Sequence, residues 1–200
     1  PQRLSVFKNI MQAAIDHPDK EVAFMISPAA LASVAEHIGM KASTELFGMM
    51  VAALRKCGVD RIYHMGYASD MHILNEARIL NERLSDEKSA KILFSSCCPS
   101  WVRYVESFRA EWKDFLSPVK SPQQLMGNMV KKQAESLNEA KAEKVYTVSV
   151  TPCVANKYEA SREENTRKGI SEVDAVLSVR ELLRFFRSFG LDLTSMEPET

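Results

Sequence analysis

The chain has little cysteine: Cys57, Cys97, Cys98 and Cys153 are the only four in 200 residues, and none forms a Cys-x-x-Cys pair. That absence disfavours a zinc site built from close-set pairs, a thioredoxin-type redox site and a ferredoxin-type cluster run. Four cysteines spaced so unevenly do not staple a secreted module of this length either. Any metal must be held by cysteines far apart in sequence. An excess of charge is missing as well, Lys plus Arg and Asp plus Glu each numbering 26. Nucleic acid and anionic membrane surfaces are therefore not expected as partners. No apolar run approaches the roughly 20 residues of a membrane span, and the opening residues lack the apolar stretch of a signal peptide. The expected location is cytoplasmic, with no membrane span.

What remains, 46% hydrophobic and 26% charged residues, describes one globular unit large enough to bury a core. A first residue Pro1 and a last segment Met196 to Thr200 suggest a fragment cut at both ends, residues 1–200 forming part of a single domain. Short apolar runs alternate with longer amphipathic stretches, the pattern of an α/β fold in which parallel-sheet layers are flanked by helices. Strands are predicted at Glu21–Ser27, Arg61–Met65, Lys91–Ser95, Val145–Val150 and Ala175–Leu177. Their near-continuous apolar character fits strands covered on both faces. Helices are predicted at Ile73–Leu84, where Leu74, Ala77, Leu80 and Leu84 share a face, at Leu125–Leu137, and over Arg180–Phe189. Weaker helical patterns cover Ala30–Ile38, Leu46–Lys56 and Val102–Glu111.

One local device recurs. A small polar or thiol residue precedes Pro at Ser27-Pro28, Cys98-Pro99, Ser121-Pro122 and Thr151-Pro152. Proline suits the first turn of a helix and pushes its predecessor into an extended conformation, so each pair is a plausible helix start. Three of the four directly follow a predicted strand. In a parallel sheet the carboxyl ends of the strands border the binding crevice, where helix N-termini favour an anionic ligand and lower thiol pKa values.

The stretch Ser95-Ser96-Cys97-Cys98-Pro99-Ser100-Trp101 is the most informative. Adjacent cysteines on extended chain point to opposite sides, so one can ligate metal while its neighbour serves another purpose. A second cysteine follows an apolar strand in Thr151-Pro152-Cys153-Val154-Ala155-Asn156-Lys157-Tyr158-Glu159. Taken alone these are weak signals, since buried cysteines are usually inert small hydrophobes. The two runs, however, closely resemble the TSCCPGW and MPCTAKKxE patterns of iron-only (FeFe) hydrogenases. Ser117 and Lys120 to Gly127 are similar to the LS and KSPQQ–G stretch of the same family. Met65 to Asp70 resembles its DTGFAADLT, Asp174 to Leu182 its DYVLTTREL, and Asp192 to Ser195 its DFTSL. The likeness spans roughly residues 20–196 in one order.

The resemblance implies the catalytic domain of an enzyme that interconverts protons and dihydrogen at an H-cluster, a 4Fe-4S cubane joined by a cysteine thiolate to a diiron subsite. Cys98 and Cys153 match two of the four cubane ligands. The others belong to a motif beyond Thr200, so this fragment alone is expected to be inactive and to hold no cofactor. Cys97 matches the thiol that shuttles protons to the diiron unit, and Glu76, Ser117 and Arg83 match further members of the proton path. Without the family, Glu76 and Arg83 read as a solvated helix face. The second path glutamate corresponds to Ile79, which cannot carry a proton. Around the expected cluster, Pro28, Pro122 and Gln123 are retained, whereas Ala29, Thr151 and Asn156 replace a serine, a methionine and a lysine. Lys157 and Glu159 match the pattern and read otherwise as surface ions. Cys57 reads as structural, and His17, His37, His64 and His72 as packed or exposed histidines. Electrons require a ferredoxin-like domain or subunit. The departures motivate a dihydrogen-sensing alternative, and a cluster-binding relative without the diiron unit is a second.

Overall fold

A computed structural model describes residues 7, 9, 10, 21–86, 91–137 and 141–199. The strands are β1 (Glu21–Ile26), β2 (Arg61–His64), β3 (Val145–Val150), β4 (Thr166–Arg167), β5 (Ile170–Ser171) and β6 (Ala175–Leu177). The helices named here are α1 (Pro28–Ile38), α2 (Thr44–Lys56), α3 (Gly66–Ser85), α4 (Pro99–Phe108), α5 (Pro122–Ser136), α6 (Ala155–Ala160) and α7 (Val179–Ser188). Four strands form one sheet in the order β2-β1-β3-β6, every pair parallel, while β4 and β5 make a separate antiparallel hairpin. This is the expected α/β architecture.

The period-two pattern of β1 decides how the layers assemble. Val22, Phe24 and Ile26 face a core built with Ala30, Leu31 and Val34 of α1, Met50 and Leu54 of α2, and Leu182, Phe185 and Phe186 of α7. Ala23 and Met25 face the opposite core, with Ala68 of α3 and Met126, Val130 and Ala134 of α5. Both faces of the central strands are thus sealed, as parallel sheets require. Asp174, at the edge of this sandwich, accepts from Thr147 N at 2.8 Å, Thr147 Oγ1 at 2.9 Å and Lys131 Nζ at 2.7 Å. A single carboxylate therefore clasps α5 to β3.

Two expectations are corrected. Lys91–Ser95 is not a strand of the sheet; only Phe94 makes an isolated parallel bridge, to Leu116, and the segment runs as a strap packed on Trp101, Trp112 and Phe115. Helix α3 begins at Gly66, earlier than its apolar pattern suggested, and points that pattern outward: Leu74 is 64% and Leu84 54% exposed. Beyond the buried Ala68, its inward side carries polar groups, with His72 buried and Asn75, Glu76 and Arg83 half-buried. Arg83 donates to the carbonyls of Ile92 (2.7 Å) and Asp114 (3.1 Å), fastening the strap to the helix.

The close approach of α5 to the β5–β6 connection allows no side chain at Gly127, where a Cβ would lie 2.1 Å from the Glu172 carbonyl oxygen. Gly127→Ala should destabilise the chain by about 2 kcal/mol, overpacking outweighing the gain in helix propensity. Urea unfolding measures this, with no loss of stability as the opposing result.

Candidate functional site

The chain passes from β1 to β2 on one side and returns through β3 on the other, so the topological switch lies between the carboxyl ends of β1 and β3. A cavity of about 390 Å³ opens there. Ser27, Pro28 and Ala29 reach it from the end of β1, Met65 and Ser69 from the start of α3, and Ser121, Pro122 and Gln123 from the start of α5. Cys97 closes it from the strap, and Thr151, Pro152, Cys153 and Asn156 from the turn after β3.

Local sequence explains the convergence. Ser27 and Ser121 are N-caps, their hydroxyl oxygens accepting from Ala30 N at 3.1 Å and Gln124 N at 3.4 Å, with Pro in the first turn of each helix. Cys98 is the N-cap residue of α4, again followed by Pro. Thr151-Pro152 departs from the expected device, since α6 starts only at Ala155. With Lys91–Ser95 lost as a strand, two of the four Pro turns, not three, follow strands of the sheet.

Eight sequence-selected residues therefore share one cavity: Pro28, Ala29, Cys97, Pro122, Gln123, Thr151, Cys153 and Asn156. Cys98 is exposed beside it, on a helix that packs against α6. Thr151 and Asn156 are joined, Asn156 Nδ2 donating to Thr151 Oγ1 at 3.2 Å, and Thr151 Oγ1 also accepts from Cys153 N at 3.0 Å. Gln123 Nε2 donates to the Asn156 carbonyl (3.1 Å) and to Glu159 (3.0 Å), while its buried Oε1 has no partner among the described residues. Cys97, Cys98 and Cys153 are free and exposed, which suits soft thiolate donors for iron. No group of three His, Cys, Asp or Glu side chains converges on a metal position among the described residues. The donor set thus fits one part of a cluster's coordination, with two thiols flanking a cavity that has an unsatisfied amide oxygen in its wall. Cys57, in contrast, is buried in the core, and burial pushes its thiol up to about 11.

Glu76, Ser117 and Arg83 do not line this cavity. Ser117 is buried and borders a neighbouring cavity of about 330 Å³ that shares Ser121 with the first. Glu76 and Arg83 face the protein rather than solvent. Lys157 and Glu159 are not surface ions. Lys157 Nζ pairs with the buried Glu181 at 2.8 Å, the residue that closes the capping box of α7. Glu159 lies on the wall of the second cavity, 7% exposed. Burial holds its carboxyl above the usual carboxylate range, opposed by hydrogen bonds from Ser121, Gln124 and Gln123 and by the Arg162 charge. Arg162, fixed by Glu106 and Glu164 and set over the Tyr158 ring, was not selected from the sequence. Among the histidines, His37 and His64 are exposed, His72 is buried, and His17 lies outside the described residues.

The family described as "Iron only hydrogenase large subunit, C-terminal domain" matches residues 20–200. The chain belongs to this family. Iron hydrogenase 1 of Clostridium pasteurianum is 33% identical over 184 residues, covering 92% of this chain and 32% of that protein. The cytosolic Fe-S cluster assembly factor narfl of Xenopus tropicalis is 28% identical over 201 residues, covering 96% of this chain and 42% of that protein. The structure of FeFe-hydrogenase HydA1 from Chlamydomonas reinhardtii aligns with a TM-score of 0.87 at 24% identity, a likeness of fold. It covers 96% of this chain and 49% of that one, so the chain spans about half of the solved hydrogenase. No described helix is long and apolar enough to cross a membrane.

A raised carboxyl pKa means that the folded state binds more protons than the unfolded one above the ordinary value of 4.5. The stability tied to Glu159 is therefore fully present below 4.5 and is lost as pH rises through the raised folded value. Glu159→Gln should flatten that decline, checked by urea unfolding of both proteins across a pH series.

Proposed function

We propose that this chain is the cluster-holding part of an iron-only hydrogenase that interconverts protons and dihydrogen. The observation that carries the reading is the meeting of Cys97 and Cys153 on one cavity at the switch point between β1 and β3, with Cys98 at the adjoining helix start. Cys98 and Cys153 are assigned as thiolate ligands of a 4Fe-4S cubane. An H-cluster bound there supplies the redox chemistry that no side chain of the protein has.

The chain's own residues enclose and protonate. Pro28, Ala29 and Pro122 give the cavity an apolar wall that limits water, which strengthens the polar contacts within it. Cys97 Sγ holds and delivers the proton; a thiol suits this task because its acidity is tunable near neutrality. Asn156 keeps an amide where the family has an ammonium, and that amide is already committed to Thr151. The wall next to the cluster thus lacks a formal positive charge at this position, and a shift in cluster potential follows. Glu76, Ser117 and Arg83 are assigned to the proton path, which Ile79 interrupts. Electrons enter from a ferredoxin-like domain or subunit.

A dihydrogen-sensing role is the second reading, favoured because Ala29, Thr151 and Asn156 all fall on the cavity wall. The likeness to an iron–sulfur assembly factor supports a third, cluster binding without a diiron subsite, against which the exposed Cys97 at the cavity counts.

Maturation of the complete protein with a diiron cofactor should yield carbonyl and cyanide infrared bands and measurable dihydrogen. Cys97→Ser should lower turnover at least 100-fold, within the range for loss of a positioned proton donor, with those bands retained. Bands without turnover in the unaltered protein would favour sensing or a spent activity; their absence under maturation would leave cluster binding alone.

A further inference from the structure

The inward face of α3 carries an arrangement that the sequence patterns did not assign. His72 is 6% exposed, and its Nδ1 lies 2.9 Å from the carbonyl oxygen of Lys120. A carbonyl only accepts, so Nδ1 carries the hydrogen and Nε2 is left free. Nε2 faces Glu76 Oε1 at 3.6 Å, and that oxygen is buried with no hydrogen-bond partner among the described residues. A neutral imidazole and an ionised carboxylate would set two lone pairs against each other. One added proton removes the conflict, placed either on Nε2 or on Oε1.

We propose that His72 is the proton partner of Glu76, the two side chains holding one shared proton that moves between His72 Nε2 and Glu76 Oε1. Charge balances in the exchange: neutral imidazole plus carboxylic acid becomes imidazolium plus carboxylate. The ring need not rotate, because the Lys120 carbonyl pins Nδ1 in both states. Glu76, 21% exposed at its side chain, keeps its second oxygen for exchange with the path. The separation exceeds a formed hydrogen bond of about 3.2 Å, as is common for proton-transfer pairs at rest. The inference rests on the hydrogenase reading for its purpose: the pair gives Glu76 the titratable neighbour that Ile79, one turn further on, does not supply.

Most charges on the elements packed against the pair are committed elsewhere. The Lys120 ammonium turns to Glu172 at 2.8 Å and to the Glu164 carbonyl. On α5, which packs along α3, Lys131 is held by Asp174 and Glu135 by Arg167, while Lys132 is exposed.

Two measurements test this. In histidine ¹⁵N spectra of the chain, neutral His72 should be the Nδ1-protonated tautomer, and its Nε2 signal should move over the same pH interval as the Glu76 carboxyl carbon. In Glu76→Gln that shared movement should vanish. A neutral Nε2-protonated tautomer, or two independent titrations, would overturn the shared proton. In the complete matured protein, His72→Asn keeps a donor for the Lys120 carbonyl but cannot hold the proton. It should lower turnover about tenfold or more and change the limb of the pH–rate profile, with the cluster's infrared bands unaltered. Full turnover with an unchanged pH profile would remove the relay role. If the unaltered protein shows cluster bands and no turnover, the hydrogenase reading fails, and the spectra still decide the shared proton.

Discussion

The pairing of β1 with β3 is the constraint on which the site depends. Six residue pairs, from Glu21 with Val145 to Ile26 with Val150, run parallel and in step, so both strands stop at the same level. Because each strand buries both faces, a slip by one residue would exchange the contents of two cores and is strongly disfavoured. The turns after Ile26 and Val150 are therefore held side by side. Ser27 to Ala29 and Thr151 to Cys153 meet across one opening without any direct bond between their side chains being needed.

The remaining walls are attached to this frame by polar clasps as well as by apolar packing. Lys131 and Asp174 hold α5, and so Pro122 and Gln123, against the sheet. Lys157 bridges α6 to Glu181 at the head of α7, which steadies the turn bearing Cys153. Gln123 joins both sides by donating to Asn156 and Glu159. Buried charges of this kind are costly unless every partner is present, so they define one arrangement of the walls more than they add stability.

The strands of the four-stranded sheet and most helices were legible, the central strands because burial on both faces leaves continuous apolar runs such as Val22 to Ile26, whereas the short β4–β5 hairpin left no such run. The strap at Lys91–Ser95 misled because Ile92, Leu93 and Phe94 are as apolar as a strand, yet Phe94 packs on aromatic rings and Ile92 is exposed, with no place in the sheet. Helix α3 misled in the opposite sense, since its leucines face out while His72, Asn75 and Glu76 turn toward the protein. The cavity residues were legible from motifs flanking proline, where local chemistry and position coincide. Glu159, Lys157 and His72 were not: burial of a charged or titratable group depends on partners far away in sequence, such as Glu181 and the Lys120 carbonyl.

Arg83 illustrates how one side chain can confound the reading of genetics. Its guanidinium supplies hydrogens to backbone oxygens at Ile92 and Asp114, a task suited to a rigid, many-donor fork and poorly matched by lysine. A variant at this position therefore loosens the segment that delivers Cys97 at the same time as it alters any charge at the mouth of a conduit. Lost function in such a variant speaks to architecture first, and conduction has to be judged at residues that do not also act as buckles.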